Sequence, residues 1–285
     1  MVLGLNSLPP SGPPIAQRAL CRWRDELFAQ VSQEPERFRD ELRSCAGVIA
    51  GSAVLRSLER PPFESGPWEP RKYDVFIPKS CLRNFCTFLE TECEGVVVGR
   101  TLFDDTDSCY VTEKRTVKTP AATLCVFATL DPCPLVAVAA SSIDIQMSFV
   151  SADALCVAYP WSVYFKTAAI RPSNATHGSV VPAPDRVVES YVRRGYTFRV
   201  SVPNQYGHCL EHGMCPKSTR HFGDLHCLTV VFAKDKESSL IPSANNLYTT
   251  ASWRLGGAPC GNRACAYHVQ ANVDRVCVSS RVPLV

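Results

Sequence analysis

No stretch of this sequence carries the roughly 18 uninterrupted apolar residues that a membrane-crossing helix needs. The longest apolar run, Pro134 to Ala140, is the size of a strand. An excess of either charge is also missing: 30 Lys and Arg against 27 Asp and Glu leave a net charge of +3, which neither demands nor excludes a nucleic-acid partner. Arg193, Arg194, Lys217 and Arg220 are isolated basic points, not a stripe interleaved with aromatics, so strong unaided nucleic-acid binding is not expected. There is no internal repeat and no G-x-S-x-G turn of the kind that presents a hydrolase serine. Met1 to Pro14 holds several prolines and lacks a basic-then-apolar leader pattern. Residues 1–15 are therefore expected to form a disordered lead-in, and the protein is expected in the cytoplasm or nucleus.

Cysteine, by contrast, is plentiful, at 15 residues. In a secreted chain that number would imply a disulfide framework with one thiol left over. Here many cysteines sit inside apolar segments, as Cys125 does in Leu124-Cys125-Val126-Phe127, Cys156 beside Val157 and Cys227 beside Leu228. They read as small buried hydrophobes in a reducing compartment, and Asn174-Ala175-Thr176 as an unglycosylated loop. A denser group, His208, Cys209, His212, Cys215, His221, His226 and Cys227, supplies Zn²⁺-ligand types, with Cys260 and Cys265 further on. Its spacing is not the paired C-x-x-C of a zinc module, so a structural zinc site stands as an alternative only. No particular Cys–His pair can be chosen for nucleophilic catalysis.

The 285 residues, 46% of them hydrophobic, suit one large domain. Helical spacing of Trp23, Leu27, Val31, Phe38 and Leu42 predicts a helix from Ala16 to Cys45, split at Pro35. An apolar run from Gly47 turns at Gly51-Ser52 into a helix carrying Ala53, Leu55 and Leu58. Tyr73–Ile77 reads as a strand ended by Pro78, and Ser80 opens a helix with Leu82, Phe85, Phe88 and Leu89 on one face. Strands are expected at 96–98, 123–129, 135–139, 143–150, 197–202 and 228–232, helix within 151–170 interrupted near Pro160, and helix over 184–193 capped by Asp185 and ended by Gly195. The expected class is α/β (α+β): a mixed sheet flanked by helices in a single domain over 16–285, with a C-terminal elaboration and a possible division near 175–185.

The segments with chemistry in them are Ile49-Ala50-Gly51-Ser52-Ala53-Val54-Leu55 and Tyr73-Asp74-Val75-Phe76-Ile77-Pro78. A Gly-Ser turn that opens a helix offers backbone N–H groups and a small hydroxyl to a phosphate. A carboxylate on the following strand can hold Mg²⁺ against the phosphates, and phosphoryl-type transfer needs little beyond such positioning and charge neutralisation. Each element alone is common: many helices start at a Gly-Ser turn, and a lone strand Asp is often a surface charge.

Together they resemble the nucleotidyltransferase superfamily, whose pattern is a Gly-Ser turn followed by two carboxylates alternating on a strand. More closely, the chain resembles a family of uncharacterised proteins of mushroom-forming (basidiomycete) fungi with a degenerate nucleotidyltransferase-like core. Those carry a Gly-Ser-Ala turn and a strand of Asp-Leu-Asp-Leu-Tyr-Val-Pro type. Ile145-Gln146-Met147, Tyr191-Val192-Arg193-Arg194-Gly195-Tyr196, Cys227-Leu228-Thr229-Val230-Val231-Phe232 and Ser252-Trp253-Arg254-Leu255-Gly256-Gly257 extend the resemblance over most of the chain past Ala16. It implies that Gly51 and Ser52 bind the phosphates of a nucleoside triphosphate, with Lys72, where this chain differs from the pattern, contacting phosphate instead of metal, and that Asp74, with Asp144 as a second acid between Ile143 and Ile145, serves as catalytic Mg²⁺ ligand. The departure is at Lys72, which stands where the first of the two alternating carboxylates belongs. Period-two alternation puts Lys72 and Asp74 on one face, and a Lys⁺ there weakens or abolishes Mg²⁺ binding. The expectation therefore divides between an active nucleotidyltransferase, transferring a nucleotide to an acceptor hydroxyl, and a pseudoenzyme or protein-interaction scaffold on the same fold.

Overall fold

The computed structural model describes residues 14–59, 70, 72–103, 110–170, 185–199, 218–232, 251–254 and 279–280. In chain order the elements are α1 (Pro14–Val31), α2 (Pro35–Ser44), β1 (Val48–Ala50), α3 (Ser52–Glu59), β2 (Tyr73–Pro78), α4 (Leu82–Glu92), β3 (Val96–Leu102), β4 (Val111–Lys118) and β5 (Thr123–Thr129). There follow α5 (Leu135–Ala139), β6 (Ser148–Ser151), β7 (Ala154–Val157), α6 (Pro160–Tyr164), β8 (Thr167–Ala169), α7 (Asp185–Arg193), β9 (Thr197–Arg199), β10 (Arg220–His221), β11 (Leu228–Val231), β12 (Ala251–Trp253) and β13 (Ser279–Ser280).

Among the described residues eight strands form one sheet in the order β11-β7-β6-β1-β2-β5-β4-β3. It is mixed: β2 and β5 pair in parallel, β1 pairs antiparallel with β2, and β4 antiparallel with β5. Because successive strand residues point to opposite sides, Tyr73, Val75 and Ile77 face one layer and Asp74 and Phe76 the other. The first layer is the larger core. There α1, α2 and α4 bring Leu27, Phe28, Val31, Phe38, Leu42, Phe85 and Leu89 onto the sheet, with the Phe38 and Phe85 rings edge-on at 5.8 Å. On the opposite side a second cluster joins α5 to β1, β6 and β7 and to Phe222 and Trp253. A third, of Leu55, Ile143, Ile145, Ala168, Tyr191 and Tyr196, packs α3 against α7 and the small parallel β8–β9 sheet. This is a mixed α/β architecture with a large mixed sheet flanked by helices, the class expected.

Several elements differ from the expectation. The helix over 16–45 is split as foreseen, with Pro35 in the first turn of α2, where its missing N–H is no loss. Residues 135–139 are a helix, not a strand: all five are buried, and a wholly buried segment shows no amphipathic period to separate the two. Of 143–150 only the end is strand, since Asp144–Gln146 is a 3-10 turn and β6 starts at Ser148. Within 151–170 the chain makes the β6–β7 hairpin, and Pro160 starts a short helix instead of interrupting one. Strand β4 was not foreseen at all, and β3 runs four residues beyond Val98. Of the lead-in expected over 1–15, residues 1–13 lie outside the described residues, whereas Pro14 and Ile15 already belong to α1; residues 175–184 of the expected division, and His208, Cys209, His212, Cys215, Cys260 and Cys265, also lie outside them. No helix among the described residues is long and apolar enough to cross a membrane.

Candidate functional site

Strand β1 ends at Ala50, and Gly51 turns the chain into α3 at φ +76°, a left-handed conformation that glycine adopts without the Cβ clash other residues meet. Strand register sets Asp74 directly beside Ala50, and its carboxylate leans into the space glycine leaves empty. A Cβ built on Gly51 would stand 3.2 Å from Asp74 Oδ2. Two residues 23 positions apart in the chain are thus in contact at the start of α3, where Ser52 is the first helical residue and backbone N–H groups are unpaired by the helix. Asp74 is half-buried, and among the described residues no donor hydrogen-bonds its carboxylate. Burial pushes it from an ordinary 3.8 up to about 6, against the ammonium groups of Lys114 and then Lys72, which pull it down.

The sheet extends this point into a row. Across β1, β2, β5, β4 and β3, register aligns Ala50, Asp74, Cys125, Thr116 and Gly99. Asp74 is the longest side chain in that row. The rows on either side carry the longer side chains, Phe76, Phe127 and Lys114 in one and Lys118 in the other. One holds Phe76, Phe127 and Lys114, with the two rings stacked at 4.9 Å and the Lys114 Nζ 5.6 Å from the Phe127 centroid. The other holds Thr123, Lys118 and Val96, with Lys72 one residue ahead of β2 on the Asp74 side. Short side chains between long ones make a trough with Asp74 on its floor. Burial raises the Cys125 thiol there, Asp74 adds to the rise, and Lys114 and Lys72 oppose it. Both ammonium groups therefore act on the same stretch of floor.

At the β1 end, α7 supplies Tyr191, whose hydroxyl accepts a hydrogen bond of 3.4 Å from the Gln146 side chain. The Arg194 guanidinium lies 4.8 Å from the Tyr191 ring centroid. Burial raises the Tyr191 phenol, Arg194 lowers it, and the Asp74 charge raises it again, which places this ring within electrostatic reach of the trough.

Asp144 has a different environment. It is 1% exposed. Its Oδ1 accepts from the backbone N–H groups of Ile145 (2.7 Å) and Ala169 (2.8 Å), and its Oδ2 from the Ser162 hydroxyl (2.7 Å). These bonds brace the 3-10 turn against α6 and β8. Burial lifts this carboxyl to about 6, and the hydrogen bonds hold it back from going higher. Mg²⁺ requires several oxygen ligands in near-octahedral array. Asp74 offers one carboxylate, Lys72 and Lys114 are cations, and the oxygens of Asp144 are occupied in bracing. Among the described residues no group of three or more His, Cys, Asp or Glu is placed to hold a metal. The donor set does not fit Mg²⁺, and no chemical step is derived through it.

The described members of the Cys/His loop surround a different feature. Arg220, 2% exposed, makes an ion pair with Asp224 (2.5 Å) and donates to the Ala158 carbonyl (2.9 Å) and the Cys227 sulfur (3.5 Å). The Cys227 thiol donates to the His221 carbonyl at 3.6 Å. The guanidinium also lies 4.9 Å from the Tyr159 ring centroid. The arrangement is a structural knot between β7, β10 and β11.

Thr116, Lys114 and Cys125 were missed in the sequence. The segment Val-Thr-Glu-Lys-Arg-Thr-Val-Lys holds four charges, which hid a strand. The signal was its period two, with Thr112, Lys114, Thr116 and Lys118 on one face and β-branched residues at both ends. A scan against protein-family models, a search of curated proteins and a search of solved structures each found no match to this chain.

Proposed function

We propose that this chain is a nucleotidyltransferase-like protein that binds a nucleoside triphosphate in the trough, its phosphates at the Gly51-Ser52 turn, and that it acts as a pseudoenzyme. The observation that carries the reading is the contact between the left-handed Gly51 and the Asp74 carboxylate at the first turn of α3. A phosphate turn and an acidic strand residue are brought together by the fold, as the resemblance to the fungal family implies. The helix N-terminus supplies N–H donors and the positive end of its dipole, and Lys72 and Lys114 supply positive charge. A lone carboxylate flanked by two lysines supports binding without transfer, which favours the pseudoenzyme over the active enzyme.

A thermal-shift panel of ATP, GTP, CTP and UTP tests this. Ligand at about 100 times its dissociation constant adds about 2.7 kcal/mol, or roughly 4–5 °C for a chain of this size. The informative variant is Ser52→Glu. An acid at a helix N-terminus helps the helix by about 0.3–1 kcal/mol, so the fold stays intact while the new charge repels phosphate. The expected result is a shift in the wild type that the variant lacks. Absence of a shift with all four nucleotides, or an equal shift in Ser52→Glu, would refute the reading.

A further inference from the structure

We propose that Lys114, together with Lys72 and Lys118, clamps the phosphate chain of the ligand across the Asp74 row, so that ammonium groups take the place of a divalent cation. The inference rests on the nucleotide-binding reading above and names how the charge of that ligand is met.

The placement comes from register. Lys114 lies one row to one side of Asp74, and Lys118 and Lys72 one row to the other, each row about 7 Å from the next along the strands. Cations therefore stand on both sides of a trough whose other members, Ala50, Cys125, Thr116 and Gly99, are short. The row crosses five strands, about 19 Å at ordinary strand spacing, with Ala50 and Cys125 buried in it and Asp74, Thr116 and Gly99 partly exposed.

Among the described residues the charges are not spent elsewhere on the sheet. The ion pairs there join Arg100 and Arg115 to Glu113, whose side chain is on the opposite face from Lys114. Among the described residues Lys72, Lys114 and Lys118 make no ion pair, and Asp74 is the only acid in the rows. Three ammonium groups against one carboxylate leave the trough positive. A chain of phosphates, with several negative charges in a line, meets cations on both sides where a single carboxylate would reach only one. Lysine suits this task as a point charge on a long stem. Lys114 is half-buried and held along the Phe127 ring, so less freedom is lost when it binds than for an exposed lysine.

The test is titration calorimetry with sodium tripolyphosphate and with ATP, each in EDTA and in Mg²⁺. The proteins are the wild type, Lys114→Met, Lys114→Arg, Asp74→Asn and Arg83→Met, the last removing an exposed cation from α4 on the other face of the sheet. Circular dichroism confirms that each variant folds. Wild type is expected to bind tripolyphosphate in EDTA. Lys114→Met is expected to weaken it by about tenfold or more, the worth of a charge-assisted hydrogen bond, with Lys114→Arg and Arg83→Met close to wild type. Asp74→Asn is expected to bind as well or more tightly, since it removes an acid between the cations. Binding that requires Mg²⁺ and disappears in Asp74→Asn would overturn the clamp, as would full binding by Lys114→Met or an equal loss in Arg83→Met. ATP binding without tripolyphosphate binding in EDTA would remove the clamp and leave the nucleotide reading standing. Binding of neither would remove both.

Discussion

Replacing Asp74 by Asn is expected to stabilise the protein at neutral pH and to leave it unchanged in acid. The carboxyl has its proton affinity raised from 3.8 to about 6, chiefly by burial. The folded state therefore holds the proton more tightly than the unfolded chain does. The contribution of Asp74 to stability is fully present below about pH 4, falls as pH rises through the interval up to about 6, and is absent above it. About two pH units correspond to about 3 kcal/mol at 1.36 kcal/mol per unit. Asp74 is only half-buried, and water screens part of that, so about 1–3 kcal/mol is the range to expect. Asparagine keeps the shape and carries no charge to desolvate. Urea denaturation followed by the fluorescence of the four tryptophans, at pH values from 4 to 8, measures the difference directly. The gap between variant and wild type should be near zero at pH 4, open between 4 and 6, and stay constant to pH 8. Asp144 also titrates near 6 but does so in both proteins and cancels. A gap that is flat with pH, or a variant less stable at pH 8, would mean that the carboxylate is held by partners in the fold and is not a group kept for a ligand.

Asp144→Ala should do the reverse: it strands two backbone N–H groups and the Ser162 hydroxyl, each an orphaned donor worth about 1–3 kcal/mol, and a chemical melt should show a loss of at least about 3 kcal/mol. Arg220→Met leaves Asp224 buried without its partner and is expected to cost about 3–5 kcal/mol by the same measurement; a loss under 1 kcal/mol would show that the knot around Arg220 is not structural. Burial pushes the Cys45 thiol up to about 12, so iodoacetamide at pH 8 should leave Cys45 unmodified in the native protein and alkylate it in urea, as peptide mass spectrometry would show.

The turn at Gly51-Ser52, the strand at Asp74 and the helices around them were legible because each is a local event. Glycine's left-handed turn, proline at a helix start and alternation along a strand are written within a few residues of one another. Asp144 was legible as a buried acid but not as a brace, because its partners Ser162 and Ala169 lie 18 and 25 residues away. The segment 135–139 was ambiguous for a different reason: burial on every side erases the periodicity that separates helix from strand.

The sequence by itself thus determined the class of the fold, the Gly-Ser turn and the acid that follows it, since short-range sterics and hydrophobic period decide those. Tertiary structure alone decided that Gly51 meets Asp74, that Ala50, Cys125, Thr116 and Gly99 form one row, and that Lys72, Lys114 and Lys118 flank it. Those neighbours come from strands distant in the chain, and register between such strands is set by the burial of a whole sheet face, a property no short window of sequence contains.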